Sequence, residues 1–210
     1  MYRQKFIFFL ILLISFNVLA VPKTPLTPSF EEKLKKFLPP FQNLSEGQWS
    51  HLRDGEIISV GDVTTKDKTQ VLELFVGGTH PRNCTRAMRK LSLYENYSSY
   101  IDFIKQSQYN ESAQKISFIL DHTLLPFPMS LGFELPRITK EGNYPFTLKD
   151  GFLKDLKGTI IVKEVGKFCF LGLKADWTGA ETKIPSVVFS TFIRTVGKLG
   201  LEHLIRVSYL

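Results

Sequence analysis

The stretch Lys183–Ile205, KIPSVVFSTFIRTVGKLGLEHLI, decides the fold of this 210-residue chain. Its apolar residues recur at helical spacing, which predicts one long amphipathic helix near the end of the chain. Thr182 and Pro185 stand where an N-cap and an early first-turn residue belong. The apolar stripe consists of Val188, Phe189, Phe192, Ile193, Val196 and Leu199. A stripe this wide predicts that the helix covers a large apolar surface.

Two glycines, Gly197 and Gly200, fall inside this predicted helix. Glycine in a helix interior costs about 1 kcal/mol relative to alanine, so each position needs a reason. Close approach of the helix to a strand is one explanation, and room for a ligand is the other. Under either explanation the helix closes over a sheet.

Segments with strand-like alternation precede the helix and supply that sheet. They are EIISVGDV, TQVLELFVGG, KISFILDHTLL, SLGFELPRI, YPFTLKD and the ribbon GTIIVKEVGKFCFLGLKADW, which turns near Gly166 and Lys167. We predict an α+β fold in which a curved antiparallel sheet of about seven strands wraps around the C-terminal helix. One helix covers such a sheet without filling it, so a pocket with apolar walls is expected. The chain has 18 phenylalanines to line it.

A helical pair interrupts the strands in THPRNCTRAMRKLSLY and ENYSSYIDFI, with Pro81 at the predicted start of the first helix. The inner side of this first helix carries Cys84, Ala87, Met88 and Leu91, and the opposite side carries Arg82, Arg86, Arg89 and Lys90. A solvated surface is the simpler interpretation of the basic side. Contact with phosphate headgroups is the alternative.

The first 20 residues predict a secretory signal peptide that is cleaved after Ala20, because a short apolar run follows Arg3 and Lys5. Its removal lowers the formal charge from +7 to +5, since 27 basic residues become 25 and all 20 acidic residues remain. We therefore expect a periplasmic or secreted protein. The remaining positive charge is too diffuse to indicate nucleic-acid binding.

Residues 21–54 are predicted to form an N-terminal extension with short helices, and residues 55–210 the main domain. Two capping boxes support the helices, Ser29 with Glu32 and Ser45 with Gln48. Trp49 and Leu52 share one face of the second helix. Both short helices are expected to pack against the main domain.

The two cysteines, Cys84 and Cys169, both fall on sides that are predicted to be buried. Export would allow a disulfide, but two cysteines in a chain of this length do not make a disulfide framework. Two inert buried thiols are the favoured interpretation. A bridge between them remains the alternative.

Four segments together resemble a known family: LRDGEIISV, HPRNCTRAMRKLSLYENYSSYI, LLPFPMSLGFEL and KADWTGAETKIPSVVFSTFIRTVGKLGLEHLIRVS. Their order resembles the START-like (SRPBCC, helix-grip) superfamily of polyketide cyclases, coenzyme Q-binding proteins and lipid-transfer domains. The resemblance implies binding of a lipid, quinone or other apolar molecule in a cavity. Many members carry an Arg-acid pair where this chain has Leu131 to Glu134, so a polar anchor would be missing or moved to Arg137.

No catalytic signature is present in the sequence. The four histidines are scattered singly, and no metal or cofactor is predicted. His122 is the best acid-base candidate because alternation places it on the same strand face as Phe118 and Leu120. Convergence of His122 with Glu134 or Asp176 would indicate an enzyme.

The favoured hypothesis is an exported, non-catalytic protein that holds a lipid, quinone or other apolar ligand between the sheet and the C-terminal helix. A cyclase or isomerase type of enzyme acting in the same cavity is the second hypothesis. A structural domain whose own side chains fill the pocket is the third. Transient contact with an anionic membrane surface is also expected. The predicted ligand-binding residues are Phe118, Leu120, His122, Phe133, Arg137, Leu171, Trp177, Phe189, Phe192, Ile193 and Val196.

Overall fold

The computed structural model describes residues 32–35, 44–121, 128–182 and 184–209. The strands are β1 (Ile58–Lys66), β2 (Thr69–His80), β3 (Ile104–Asn110), β4 (Lys115–Leu120), β5 (Met129–Glu134), β6 (Gly142–Asp150), β7 (Lys157–Val165) and β8 (Phe168–Ala180). The helices are α1 (Glu46–Arg53), α2 (Cys84–Leu91), α3 (Tyr97–Tyr100) and α4 (Ser186–Tyr209), with a 3-10 turn at Tyr94–Asn96 and a helical segment at residues 32–35. The prediction of an α+β fold is confirmed.

All the strands belong to one antiparallel sheet with the order β1-β2-β8-β7-β6-β5-β4-β3. The sheet is curved, and α4 packs across β1 and β2 with α2 beside it. We call the side of the sheet that carries α4 and α2 the inner face, and the opposite side the outer face. The predicted sheet wrapped around a C-terminal helix is therefore confirmed.

The sheet has one strand more than predicted, the edge strand β3. Its sequence, IKQSQYN, is mostly polar because β3 pairs with β4 alone and much of it is exposed. Only Ile104 is fully buried in it. An edge strand needs few apolar residues, so the periodicity that identifies central strands is weak here.

The helix starts differ in part from the predictions. The capping box of Ser45 and Gln48 is confirmed at α1. At α2 the N-cap is Asn83, whose side chain accepts a hydrogen bond from the Arg86 N–H, so the predicted helix start at Pro81 is wrong. Asparagine accepts from the free N–H groups of the first turn, which proline cannot do.

The start of α4 is held by a buried side chain that the sequence analysis did not single out. The Gln70 amide accepts a hydrogen bond from the Thr182 N–H at 2.9 Å and donates one to the Ile184 carbonyl at 3.2 Å. The helix begins at Ser186, so Thr182 lies four residues ahead of it and does not serve as the predicted N-cap. Gln70 thus ties the approach to α4 to strand β2.

The two cysteines form a disulfide, and the favoured interpretation of free thiols is wrong. Cys84 begins α2, Cys169 lies on β8, and their Cα atoms are 4.7 Å apart. Both residues are buried, as predicted. The bridge fixes α2 on the inner face, a pairing that spacing along the chain could not reveal because 85 residues separate the two cysteines.

The outer face carries an apolar cover of its own. Trp49 and Leu52 of α1 and Leu34 of the segment 32–35 are all buried, and they cluster with Phe170 of β8. Other members of this outer cluster are Ile58, Ile161 and Val165. The expectation that the short N-terminal helices pack against the sheet is confirmed for these residues.

Some predictions concern residues outside the described ranges, including the signal peptide, Ser29 and His122. The division between an extension and a domain at residues 54 and 55 also stays a prediction. Among the described helices, none combines the length and the apolar character needed to cross a membrane.

Candidate functional site

The inner face contains apolar side chains that the cover does not bury fully. Ile160 of β7 and Leu173 of β8 pair across two central strands and point to this face, yet both are only half-buried. A side chain on a central strand is normally sealed when a helix lies over it. Their residual exposure marks a candidate space between the sheet and α4.

An aromatic wall bounds this space on the side of β4, β5 and β6. The Tyr97 and Phe118 rings are stacked with centroids 5.9 Å apart. Phe118 meets Phe133 edge to face at 6.1 Å, and Phe133 meets Phe146 at 6.2 Å. Such edge-to-face pairs hold the rings in fixed orientations. The wall is apolar and pre-formed.

On α4, Phe192 packs against the apolar core of the inner face, and Val196 and Gly200 follow it at intervals of one helical turn. Phe192 is half-buried and Val196 is 48 % exposed. A Cβ atom added at Gly200 would have no neighbour within 4 Å. At Gly197, by contrast, the added Cβ would lie 2.7 Å from Val76 Cγ2. Close packing thus explains Gly197, whereas Gly200 lies beside open space and room for a ligand there stays a prediction.

One end of the space is closed by tight packing around Trp177. Its ring meets Phe189 at 6.3 Å, and Phe189, which is fully buried, meets Phe152 at 5.7 Å. The Trp177 Nε1–H donates to the Lys154 carbonyl at 2.9 Å. The β6–β7 loop is thereby fixed to the start of α4, so this end is solid.

The structure sorts the predicted ligand-binding residues by how much surface they offer. Half-buried residues that can present a wall are Phe118, Leu120, Phe133 and Phe192. Buried residues that serve as packing behind the wall are Leu171, Trp177, Phe189 and Ile193. Val196 is exposed on α4, and His122 falls outside the described residues.

Arg137 is engaged in a cluster of its own. Its guanidinium contacts Glu95 at 3.1 Å and Glu111 at 2.9 Å, and it also donates to the Ser92 carbonyl. It lies 4.4 Å from the centre of the Tyr109 ring. These contacts join the 3-10 turn to β3, so Arg137 does not offer a free charge to a ligand.

The tyrosines of the inner side use their hydroxyl groups internally. Tyr97 donates to the Leu91 carbonyl at 2.7 Å, and Tyr144 donates to the Lys140 carbonyl at 2.8 Å. Tyr94 donates to Pro136 at 3.1 Å and accepts from the Ile138 N–H at 3.0 Å. Burial raises the pKa of Tyr94 and of Tyr97, which keeps both hydroxyls neutral.

The carboxylates considered for catalysis lie on the outer face. Glu134 is exposed and pairs with Lys149 at 3.0 Å, and Asp176 is exposed and lies 3.8 Å from Lys174. Neither faces the space under α4. In the described part of the chain, no three His, Cys, Asp or Glu side chains are grouped as a metal site.

Among the histidines of the described residues, His80 is the one that is completely buried on the inner face. It pairs with Cys169 across β2 and β8, next to the disulfide. Its Nδ1 accepts from the Arg82 N–H at 3.0 Å, and the ring also faces the Ser208 carbonyl. Desolvation lowers the pKa of His80 and favours the neutral imidazole.

Comparison with solved structures places this architecture among known folds. An aromatase/cyclase from Streptomyces sp. R1128 is 9% identical, with 66% of this chain and 94% of that one covered and a TM-score of 0.54. An uncharacterised protein from Bacillus thuringiensis is 12% identical over 66% of this chain and 99% of that one, with a TM-score of 0.52. A START superfamily protein from Mycobacterium smegmatis is 11% identical over 64% and 92%, with a TM-score of 0.48.

The chain has the helix-grip fold, which is the fold that the START-like resemblance implied. The likeness was predicted from four sequence segments, and it is confirmed at the level of the fold. Neither a protein-family model nor a curated protein matches the sequence. At these identities the START-like fold alone is shown, so the ligand must be argued from the residues of this chain.

Sequence reasoning missed several residues that lie beside this candidate space. The predicted binding residues did not include Ile160, Tyr97 and Tyr144. All three are half-buried against the apolar core of the inner face. Ile160 could have been found from its alternation with Val162 in the ribbon. Tyr97 could not, because its place depends on how the helical pair folds back onto β4.

Proposed function

We propose that this protein binds an apolar small molecule or lipid in the space between the inner face and α4. The observation that carries the proposal is the residual exposure of Ile160 and Leu173 on central strands. Burying ligand surface against such walls contributes about 25 cal/mol per Å², offset by ordering costs. The fold supports the same class of ligand by analogy only.

Binding without catalysis fits the described residues better than an enzyme does. Glu134 and Asp176, the carboxylates that an acid-base mechanism would have used, point away from the pocket. The aromatase/cyclase among the similar structures keeps the enzyme as the second candidate. A domain with a self-filled pocket is the third candidate, and the test below separates it from the first.

The test is native mass spectrometry of the protein purified from its own compartment, followed by organic extraction. Leu173→Trp fills the space from β8, and Lys174→Trp adds the same ring at the next position, which is exposed. We expect a bound apolar molecule on the wild type and on Lys174→Trp, and much less on Leu173→Trp. Equal occupancy of both variants, or no bound molecule on any of them, would contradict the proposal.

Export is part of the same proposal. The disulfide between Cys84 and Cys169 supports it, because structural disulfides persist in oxidising compartments and are rare in reducing ones. We expect the mature protein to begin at Val21. The intact mass of the protein recovered from the periplasm or medium checks this, and a retained Met1 in that fraction would contradict cleavage.

Transient contact with an anionic membrane surface is proposed for the exposed side of α2. Arg86 and Arg89 are exposed there, with no ion-pair partner within the described ranges. The buried side of α2 is fixed by the disulfide, so this basic side always faces outward. Each Lys or Arg near an anionic leaflet contributes about 1 kcal/mol at low salt.

Vesicle co-sedimentation tests this contact. We expect binding to phosphatidylglycerol-containing vesicles, weak binding to pure phosphatidylcholine, and loss on raising the salt. Arg86→Glu with Arg89→Glu should abolish the binding. Lys140→Glu with Lys157→Glu, exposed positions elsewhere on the sheet side, makes the same change of net charge and should retain most of it. Equal loss in both double variants would indicate a net-charge effect and contradict a docking site on α2.

A further inference from the structure

Arg206, in the last turn of α4, is a charged side chain that is half-buried and unpaired. Its Nε–H is shielded from solvent and has no acceptor in the parts of the chain that the structure describes. Glu202, one helical turn earlier, stands at the spacing that favours an ion pair, yet no carboxylate of those ranges pairs with Arg206. A shielded donor on a cation is costly without a partner. Arg206 therefore calls for an acceptor that the described chain does not supply.

The direction of Arg206 on α4 relates it to the candidate space. It follows Phe192 by 14 residues, so the two side chains leave the helix about 40° apart. Phe192 packs against the apolar core of the inner face. His203, which leaves α4 on the same side, meets the Phe103 ring edge to face at 5.7 Å. Burial, and then the Arg206 charge, lower the pKa of His203, so the guanidinium lies close to this ring pair.

The contacts of Phe103 place this site at one end of the candidate space. The Phe103 carbonyl accepts a hydrogen bond from the Asp121 N–H at 3.0 Å, so Phe103 lies where β4 ends. Leu120, the last residue of β4, is half-buried and belongs to the predicted wall. The tight packing around Trp177 is at the start of α4, whereas Arg206 is near its end. The guanidinium thus lies at the end away from the solid one.

The other charged groups do not take the role of Arg206 or cancel its charge. Asp102 is exposed, and its charge acts on His203. Arg137, which the sequence suggested as a polar anchor, is already held by Glu95 and Glu111. The dipole of α4 favours a cation in its last turn, but it gives the Arg206 Nε–H no acceptor. The positive charge of Arg206 is therefore left for a ligand.

We propose that Arg206 binds the carboxylate of an otherwise apolar ligand whose tail lies along the inner face. This assignment rests on the proposed function and names the ligand class. A guanidinium is a planar fork that meets a carboxylate with two parallel hydrogen bonds. One unpaired cation balances one negative charge, whereas a phosphate monoester carries roughly two. Along α4, Arg206 lies about 21 Å from Phe192, so a long alkyl or polyene tail anchored at Arg206 runs toward Phe192.

Matched ligand pairs test the assignment: retinoate against retinol, and oleate against oleyl alcohol. Trp177 lies in the inner core and Trp49 in the outer cluster, so Trp49→Phe leaves one tryptophan to report on the pocket. Quenching of Trp177 measures the retinoids, and displacement of retinol measures the oleyl pair. We expect each carboxylate to bind at least about tenfold more tightly than its alcohol at neutral pH, because hydrogen bonds between charged groups are the stronger ones.

A matched pair of variants assigns the preference to Arg206. Arg206→Met removes the charge and keeps an unbranched stem, and Lys198→Met makes the same change of net charge at an exposed position of α4. We expect Arg206→Met to weaken carboxylate binding about tenfold or more and to leave the alcohols within about twofold. Lys198→Met should change neither. An equal loss of carboxylate affinity in both variants would indicate a net-charge effect and overturn the assignment.

The outcomes separate the assignment from the proposed function. Alcohols that bind the wild type as tightly as the carboxylates, or more tightly, would overturn the assignment and leave the apolar pocket standing. If none of the four molecules binds, the proposed function and the assignment both fall.

Thermal unfolding gives a readout that a merely structural arginine would change in the opposite direction. Without ligand, Arg206→Met should melt at the same temperature as the wild type or higher, because no internal ion pair is lost. Oleate should raise the melting temperature of the wild type more than that of Arg206→Met. A lower melting temperature of ligand-free Arg206→Met would show that the charge is paired within the protein and would overturn the assignment.

Discussion

The two faces of the same sheet are covered in different ways. On β8, Phe170 points to the outer face and is fully buried, while Leu173, three residues later, points to the inner face and is only half-buried. The outer cover is made of short helical pieces, and the inner cover is one helix of 24 residues. The longer cover is thus the less complete one.

The difference follows from how closely each cover can approach. On the outer face the Phe170 ring lies over Gly77 and Gly172, where added Cβ atoms would come within 3.1 Å and 2.8 Å of it. These glycines let aromatic rings lie flat against the strands under α1. On the inner face a comparable approach is made at Gly197, above β2, and α4 makes its main strand contacts with β1 and β2. The helices that cover each face therefore determine how tightly that face is packed.

The largest effect is expected from truncating the outer side chain. Phe170→Ala should lower the free energy of unfolding by about 4 kcal/mol, because it removes a fully buried ring and leaves a cavity. Leu173→Ala should cost only about 1 to 2 kcal/mol, since that side chain is partly exposed already. Urea unfolding of the two variants measures both values. Similar losses in free energy would mean that the inner face is packed as tightly as the outer one.

Breaking the disulfide should have the next largest effect. Cys84→Ala with Cys169→Ala should lower the free energy of unfolding by about 3 kcal/mol, because the bridge closes a long loop in the unfolded chain. It should also loosen α2, which only the inner face holds. Urea unfolding with and without a reducing agent provides the measurement.

The alanine pair is its own control in that experiment. A reducing agent should destabilise the wild type and leave the double variant unchanged. If ligand retention in the double variant equals that of the wild type, α2 is not needed to close the pocket. The incomplete cover of the inner face would then be a property of α4 alone.

Much of this architecture could be predicted from the sequence, because the apolar residues of its main elements recur with a clear helix or strand period. The stripe on α4, the ribbon of β7 and β8 and the inward side of α2 follow directly from the spacing of apolar residues. β3 could not be found in this way, since an edge strand with one partner needs little apolar character. The place of Pro81 was misjudged because Asn83, two residues later, is the better cap.

The candidate site was less predictable than the fold. Alternation correctly assigned Phe118, Phe133 and Leu171 to the inner side, but it cannot separate a wall residue from one packed behind it. That distinction depends on how far α4 stands from each strand. Arg137 was considered as a polar anchor because its partners, Glu95 and Glu111, come close only in the folded chain.

The two glycines of α4 allow tightly packed and open surroundings to be compared within one helix, and the expected changes in stability are smaller. Gly197→Ala should destabilise the protein by about 1 to 2 kcal/mol, because the added methyl group would press on Val76. Gly200→Ala should stabilise it by up to about 1 kcal/mol, because alanine favours the helix and nothing lies within 4 Å. Thermal unfolding of the two variants gives both signs. Destabilisation by Gly200→Ala would show that the space beside it is filled.

A further test concerns His80, which lies on the inner face beside the disulfide, and asks how completely it is excluded from water. The groups that face His80 are the Arg82 backbone and guanidinium, the Ser208 carbonyl and the disulfide. Burial above all, and then the Arg82 charge, lower the pKa of His80 below its ordinary value of 6.5. Well above pH 6.5 the histidine is neutral in both states, so it adds no pH dependence there. As the pH falls below that value the unfolded chain takes up the proton first, and stability is lost until the pH reaches the lowered pKa of the native state.

The measurement is the free energy of unfolding between pH 7.5 and 5, whose slope for one histidine cannot exceed about 1.4 kcal/mol per pH unit. His80→Gln should remove most of this slope. His203 contributes in the same direction, because burial lowers its pKa too, so His203→Gln is the matched control and should remove less. His203 meets the Phe103 ring from a half-buried position, whereas His80 is fully enclosed. If the pH dependence of the unfolding free energy survives in His80→Gln and disappears in His203→Gln, it arises from His203, beside Phe103. That result would contradict the assignment of the pH dependence to His80.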